Sequence, residues 1–537
     1  MSIIVNNLSY IHPDRQELFS GISFSVPDGE KASLIGDNGS GKSTLIKILA
    51  GKAEPSGGNF CVSGPMWIIP QHFGQYDSMS VAQALGIDSK LRAIEAITGG
   101  STDEKHYTDL ADDWSVEEKA REALDFLNLR HVALSQNMET LSGGEKTKIF
   151  LAGISLYNPS TILMDEPTNH LDYESRGKLY GMISRSKATM LIVSHDRSLL
   201  DMLDTTFEMT PKGVTRYGGN YGFYREARDG KQNALREQLA EKEKSRRAAE
   251  QKARLAMERK QKTDSRAPAN MKKEGIPRIM KKTLTDKAAA TTKRLAETHD
   301  AKIEAITDEA REIRGMIASD IKMKMAINDA GIHEGKIMAE AEGINFHYPG
   351  SRDLWGEPLS FIIRSGERVA IQGGNGTGKT TLLSIILGNA EPTAGTIFRA
   401  DTTHILLDQE YSLIDNSLTV YEQLEKWNRR NLPEHFLKTE LHRFLFPAAV
   451  WDKPCSALSG GEKLKLTLCC MEVAEDRPGL FILDEPTNNL DIRSMEILTS
   501  AVCSYKGTVL VISHDSAFLE DIGVTRKIAL EKNNLKE

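Results

Sequence analysis

Cysteine is scarce in this chain, five in 537 residues, and Cys61, Cys455, Cys469, Cys470 and Cys503 fall at no paired spacing. That excludes a disulfide framework, argues against a zinc or iron–sulfur centre, and suits reduced thiols in a cytoplasmic protein. Long apolar runs are missing as well. No stretch approaches the ~18 to 20 residues that cross a bilayer, so neither a membrane span nor a permease is expected within the chain. The opening MSIIVNNLSY has no basic stretch leading into an apolar core, so no secretory leader is expected. Compositional bias is absent too: 40% hydrophobic and 27% charged residues exclude a disordered or fibrous class. What the chain does have is length, and at ~100 to 200 residues per domain it should hold roughly three to four folded units.

It also repeats itself. Gly36 answers to Gly373, Gln71 to Gln409, Ser142 to Ser459, Asp165 to Asp484 and His195 to His514, in the same order twice. Such self-similarity marks two copies of one unit. The offsets are 337, 338, 317, 319 and 319, so the first copy carries an insertion after Gln71, in LGIDSKLRAIEAITGGSTDEKHYTDLADDW near residues 85–115. Its Gly99–Gly100 pair between two helix-like runs predicts a short helical hairpin.

Each copy contains a strand, a glycine-rich loop and a helix: EKASLI, GDNGSGKS, TLIKILAG, then ERVAIQ, GGNGTGKT, TLLSIILG. Gly36, Gly39 and Gly41, and Gly373, Gly376 and Gly378, let backbone N–H groups curl around phosphate at a helix N-terminus, with Asn38 and Asn375 inside the loops. Lys42 and Lys379 add a point charge, Ser43 and Thr380 a hydroxyl for magnesium, and Thr44 and Thr381 follow. TILMDEP and LFILDEP are apolar runs suited to buried parallel strands, each delivering two carboxylates at its C-terminal end. Asp165 and Asp484 are expected to hold magnesium through water. Glu166 and Glu485 are expected to polarise the attacking water, the consecutive side chains diverging at the strand end. Ser142 and Ser459 open LSGGEK, at 141–146 and 458–463, and are placed to cap a helix.

Glutamine before LSGGEK, DEPTN after it and a histidine 30 residues past the aspartate, in both halves, resemble the ABC ATPases over most of the chain. The resemblance implies two cassettes pairing within one monomer. The signature serine and glycines of one cassette would meet the γ-phosphate held by the other's P-loop. One ATP site would then unite Lys42, Ser43, Gln71, Asp165, Glu166 and His195 with Ser459, Gly460 and Gly461. The other would unite Lys379, Thr380, Gln409, Asp484, Glu485 and His514 with Ser142, Gly143 and Gly144. In each, the hydroxyl, glutamine and aspartate, Ser43, Gln71 and Asp165 or Thr380, Gln409 and Asp484, would serve magnesium. The histidine would sense the γ-phosphate. Asp172 and Asp491 match the turn through which cassettes of the family communicate. Aligning NLSYIHPD with GINFHYPG puts Tyr348 at the adenine position of one site and His12 at that of the other, with Tyr10 as the fallback.

Between the copies lies a charged linker. Residues 242–294 hold 18 Lys and Arg against 6 Asp and Glu, a net of +12 in a chain whose total is −7. That sign asymmetry points to a polyanionic partner. Leu235, Leu239, Lys242, Arg246, Ala249 and Ala253 recur at helical spacing, as do Ile303, Ile306, Ala310, Ile313 and Ile317, so two antiparallel helices are expected to pair these seams. Pro268, Gly275 and Pro277 should break the helix and form the turn. A first helix of ~35 residues at ~1.5 Å each would carry the basic tip, near 264–282, roughly 50 Å out.

The expected organisation is α/β: a P-loop cassette over 1–224, an α-helical hairpin over 225–335, an antiparallel coiled coil, and a second cassette over 336–537. With LSGGEKTK, SHDRSLLD and GNYGFYR in the first cassette, this resembles the ABC-F family, whose tandem cassettes act on ribosomes with the linker reaching toward the P-site tRNA and the large-subunit rRNA. Antibiotic resistance and translation control are the roles it implies. Ser516 stands where the family has arginine in a second SHDR-like motif. Two other readings keep the cassettes: the ATPase subunit of an ABC transporter, which needs no cationic hairpin, and a DNA-acting ABC ATPase, which could use the same charge.

Overall fold

Uninterrupted apolar runs become the centre of two parallel sheets. They are seen in a computed structural model that describes all residues except 1, 14, 16, 211–212, 274–277, 317–330, 334, 476–477, 489 and 532–537. In the first cassette the strand order is Met66–Ile69, Thr161–Asp165, Thr189–Val193, Lys31–Ile35, Thr205–Thr210, Gly213–Tyr217, parallel except for the last pair. Thr161–Asp165 and Thr189–Val193 are buried along their whole length, as strands covered on both faces must be. This order sets the C-terminal ends of the P-loop strand, the carboxylate strand and the histidine strand side by side, the edge at which such sheets hold ligands. The second cassette repeats it among the described residues with His404–Leu407, Leu480–Asp484, Thr508–Ile512, Arg368–Gly373 and Arg526–Leu530, all parallel.

Each cassette adds a three-stranded antiparallel sheet. In the first it is Glu17–Val26, Ile3–Ile11 and Gly57–Val62 in that order. Its alternating residues Ile3, Val5, Phe19 and Ile22 share one core with Leu34, Leu45, Leu163 and Phe207 of the parallel layer. In the second cassette Ala341, Ile344, Phe361 and Ile363 meet Val369, Ile371, Leu382 and Ile482 in the same way. The insertion folds as helices Asp88–Thr98 and Glu104–Leu110 on either side of Gly99–Gly100. Among the described residues no helix is long and apolar enough to cross a membrane.

Met1–Tyr221 and Lys322–Glu537 form one compact unit, and Gly222–Ile321 form a second. The second is built from the 53-residue helix Tyr221–Lys273 and the 39-residue helix Arg278–Met316. Lys242, 31 residues before the end of the first helix, pairs at 2.5 Å with Glu309, 31 residues past the start of the second, and Arg314 pairs with Glu243, so the helices run antiparallel. Leu235, Leu239, Ala249 and Ala253 on one helix, and Ile303, Ile306 and Ile313 on the other, are more covered than most of the residues flanking them, and Ala310 is buried. The apolar seam holds this pair, since exposed ion pairs contribute little. Ile317 lies outside the described residues.

Two linker expectations need correction. The first helix has 53 residues instead of ~35, about 80 Å of helix at 1.5 Å per residue. It also runs through Pro268 and stops only at Lys273. A proline removes a single i to i−4 bond, a local cost that the surrounding Arg, Ala, Met and Lys offset by helix propensity. Gly275 and Pro277 lie outside the described residues.

Candidate active sites

The P-loop helices Lys42–Leu49 and Lys379–Ile386 begin on Gly41 and Gly378, both left-handed at φ 97° and 88°. A β-carbon there would lie 2.7 Å from Phe19 Cδ1 or 2.2 Å from Leu354 Cδ2, so glycine alone fits both the dihedral and the space. The loop curls around its own lysine: Lys42 Nζ donates to the carbonyls of Gly36 at 2.8 Å and Asp37 at 3.0 Å, Lys379 Nζ to that of Gly373 at 2.9 Å. Burial lowers both lysine pKa values.

The signature helices Gly143–Tyr157 and Gly460–Val473 start in capping boxes. Ser142 Oγ accepts from the Glu145 N–H while Glu145 takes the Ser142 N–H, and Ser459 and Glu462 do the same. Gly144 sits where the cassettes meet: a β-carbon on it would lie 2.6 Å from the His170 carbonyl oxygen and 3.3 Å from Asn375 Nδ2. That same carbonyl accepts from Asn375 Nδ2 at 3.0 Å, and the Asn38 N–H donates to Asp491 Oδ2 at 3.2 Å. Each P-loop is thus tied to the other cassette's DEPTN–D segment.

Two cavities result. One, of about 520 Å³, brings Asn375, Gly376, Gly378, Lys379, Thr380, Thr381, Gln409, Asp484, Glu485, His514 and Tyr348 together with Ser142, Gly143 and Gly144. The other, of about 490 Å³, holds Asn38, Gly39, Gly41, Lys42, Ser43, Thr44, Gln71, Asp165, Glu166, His195 and His12, with Ser459 from across the interface. Gly460 and Gly461 do not line it; a β-carbon on Gly461 would meet Ser494 of its own cassette. Gly36 and Gly373 take part through their carbonyls. Tyr348, 52% exposed, donates or accepts a 2.9 Å bond with Thr381 Oγ1. His12 occupies the matching place, and Tyr10 stands behind it, ring edge to ring at 5.4 Å.

Glu166 and Glu485 do not simply continue the pleat. Both adopt left-handed backbone, φ 51° and 47°, just past the strand end, and their N–H groups donate to Val193 O and Ile512 O, each at 2.8 Å. The divergence of the paired carboxylates therefore comes from this strained turn instead of strand alternation, and strain of this sort persists only where surrounding structure enforces it. Burial pushes the Glu485 carboxyl up to about 7, and burial together with the Asp165 charge pushes Glu166 up. His195 Nε2 lies 3.3 Å from Glu166 Oε1, and His514 Nε2 3.3 Å from Glu485 Oε1. Burial and then Lys379 hold His514 down at about 3, so the neutral ring accepts from Lys379 Nζ at 2.8 Å.

Asp165 Oδ1 and Glu485 Oε2 are buried with no hydrogen-bond partner, and Glu166 Oε1, also without a hydrogen bond, faces His195 Nε2 at 3.3 Å. Buried carboxylate oxygens left open in this way suit a hydrated cation and a water. Ser43 Oγ lies 3.4 Å from Gln71 Oε1, beside Asp165, and Thr380, Gln409 and Asp484 share the other cavity. One hydroxyl, one amide and one carboxylate per site fit magnesium, which keeps waters and takes phosphate oxygens for the rest. Among the described residues there is no cluster of three or more His, Cys, Asp or Glu that could hold a metal unaided.

Sequence reasoning missed His72, His170 and Arg176, which line these cavities. His72 follows the glutamine and His170 lies within TNHLD, so both were adjacent to motifs. Arg176 carried one signal only, the mismatch with Met495 at the same place in the repeat.

The family model described as ABC transporter matches residues 19–169 and 357–488. The ribosome protection protein VmlR of Bacillus subtilis is 30% identical over 541 residues, spanning 100% of this chain and 88% of VmlR. ABC transporter F family member 5 of Arabidopsis thaliana is 29% identical over 552 residues, 96% of this chain and 73% of that protein. Among solved structures, the archaeal ribosome recycling factor aABCE1 in complex with the stalk protein aP1 has the same fold, with a TM-score of 0.60 at 22% identity over 97% of this chain and 87% of that one. With both cassettes matched and these relatives aligned over 96% or more of this chain, the chain belongs to the ABC transporter family, in its ABC-F branch, and is an ABC-type ATPase with ATP-binding cassettes.

Proposed function

We propose that the protein binds two ATP, each between one cassette's P-loop and the other's signature turn, and uses their hydrolysis to act on the ribosome in the cytoplasm. The observation that carries the nucleotide reading is the cavity in which Lys379, Asp484 and Glu485 face Ser142, Gly143 and Gly144 from the other cassette. Loop, lysine and signature serine all line that one space, and they are the groups from which donors to a transferring phosphoryl group would come. Ser43, Gln71 and Asp165, and Thr380, Gln409 and Asp484, would hold magnesium, which supplies charge neutralisation between the β- and γ-phosphates. Glu166 and Glu485 would orient and deprotonate the attacking water through their open oxygens. His195 and His514 would register the γ-phosphate. Tyr348 would stack on one adenine and His12 on the other. Both sites are completed within one chain, so the working form is a monomer.

The ribosomal reading rests on the linker. Residues 242–294 carry +12 in an otherwise acidic chain, a polyanion-seeking segment, and a relative that aligns with the whole of this chain is a ribosome protection protein. The tip is proposed to reach toward the P-site tRNA and the peptidyl transferase rRNA of the large subunit. This would serve either protection from antibiotics or regulation of translation, and drug susceptibility on expression separates the two. The test is a trap: the double variant Glu166→Gln, Glu485→Gln should bind ATP, lose turnover by at least ~100-fold and accumulate on 70S ribosomes. If that variant stays in the ribosome-free fraction with ATP present, the ribosomal reading fails. Preference for branched DNA would favour a DNA-acting ATPase, and co-purification with a permease a transporter subunit.

A further inference from the structure

The two halves of the interface are not equivalent at one buried position. Arg176 lies in the first turn of the helix Tyr173–Arg185, four residues after Asp172, and is 7% exposed. Its guanidinium bridges the cassettes. Nε donates to Leu171 O at 3.2 Å, and Nη1 donates to Asp196 Oδ2 at 3.4 Å in its own cassette and to the His514 carbonyl at 3.5 Å in the other. It also lines the cavity that holds Lys379 and Glu485. The repeat places Asp491 against Asp172 and Ser494 against Ser175, so Met495 is the counterpart of Arg176. Met495 is buried but has no N–H to give. The loop bearing His195 therefore receives no arginine from the equivalent position of the second cassette.

We infer that Arg176 is a positioning residue for the second site alone, holding the His514 loop in hydrolytic register from across the interface, and that the two sites are consequently unequal. The guanidinium fork suits this task because it presents several donors in fixed geometry and spans two acceptors on different cassettes. Its charge also sits between Asp196 and Asp515, the N-cap aspartates of the two SHD turns. Burial first, and then the facing Asp196, push the Asp515 carboxyl up while Arg176 pulls it back. The Asp196 turn has fixtures of its own, accepting from Tyr180 Oη at 2.6 Å and from the Leu199 N–H at 3.2 Å, so it keeps its place without the arginine. The carbonyl of His514 has Arg176 at its side, and displacing a catalytic loop by a fraction of an ångström to 1 Å slows chemistry without weakening substrate binding.

This inference rests on the two-site reading above. The experiment measures single-turnover ATP cleavage with protein in excess, so that cassette reopening does not enter. The Glu166→Gln background reports the second site and the Glu485→Gln background the first. Arg176→Met, which copies the other half of the repeat, should slow cleavage roughly 10- to 100-fold in the first background and several-fold less in the second. The ATP concentration at half-maximal rate should stay within about threefold, because the nucleotide contacts remain. Arg176→Lys, which keeps a cation and one donor, should recover part of the rate. Equal losses in both backgrounds, a raised ATP requirement at unchanged maximal rate, or a lysine variant no faster than methionine would each overturn the inference, marking Arg176 as interface packing. Absence of cleavage in both backgrounds even with Arg176 present would instead break the two-site reading.

Discussion

The two proposed nucleotide sites of this chain have the same motif residues and different surroundings. Lys42 and Lys379 each close on the carbonyl of the loop's first glycine, and Glu166 and Glu485 each turn through left-handed backbone to meet a histidine at 3.3 Å. Around that shared chemistry the second site has Tyr348 in place of His12, three signature residues facing in instead of one, and an arginine arriving from the other cassette. The proposed catalytic groups repeat because phosphoryl transfer would constrain them. The walls need only surround a ligand, so they are free to diverge, and with them affinity and rate.

Breaking the better-enclosed site should give the largest effect. Gly144→Ala drives a β-carbon to 2.6 Å from the His170 carbonyl, the acceptor of the Asn375 bond between cassettes. Single-turnover cleavage reported by the second site should fall by roughly 100-fold, with a smaller loss at the first. An equal loss at both sites would mean that the interface closes as one rigid piece.

A smaller contrast is expected at the adenine walls. Tyr348→Ala should weaken ATP binding to the second site by about tenfold and His12→Ala that to the first by about threefold, since a phenol ring covers more purine than an imidazole. Nucleotide titration of each single-site variant measures the difference; equal losses would show that the two walls are equivalent, and no loss at either that neither ring stacks.

The smallest effect concerns what the two sites share. Burial raises Glu485 from near 4.5 to about 7 and moves Glu166 in the same direction. The folded, nucleotide-free protein then binds more protons than the unfolded chain between about pH 4.5 and 7. The contribution of these groups to stability is present at the acid end and is lost as pH rises through that window. Replacing both with glutamine removes the dependence. The variant should gain about 2 to 4 °C in melting temperature over wild type on going from pH 5 to pH 8, and a constant difference would show that the glutamates are solvated.

Much of this was legible from spacing. The glycines of GDNGSGKS and GGNGTGKT, the carboxylates after TILMDEP and LFILDEP, the capping serines and the helical seams of the linker each follow from a local rule of dihedral, periodicity or hydrogen bonding. Less accessible was the left-handed turn at Glu166 and Glu485, because it is imposed by the neighbouring strand's carbonyl. The linker helix passes through Pro268 although an interior proline costs about 3 kcal/mol, a local cost that the rest of a 53-residue helix carries and that no breaker rule weighs.

The sequence alone determined that there are two cassettes, which residues are proposed to carry phosphate chemistry and where the positive charge is concentrated, since these depend on residue type and order. Only the tertiary structure decided which groups face one another across the interface. Arg176 reaches the His514 carbonyl, 338 residues away along the chain, through the packing of two domains. Contacts at that separation are set by the shape of both surfaces, and no local pattern records them.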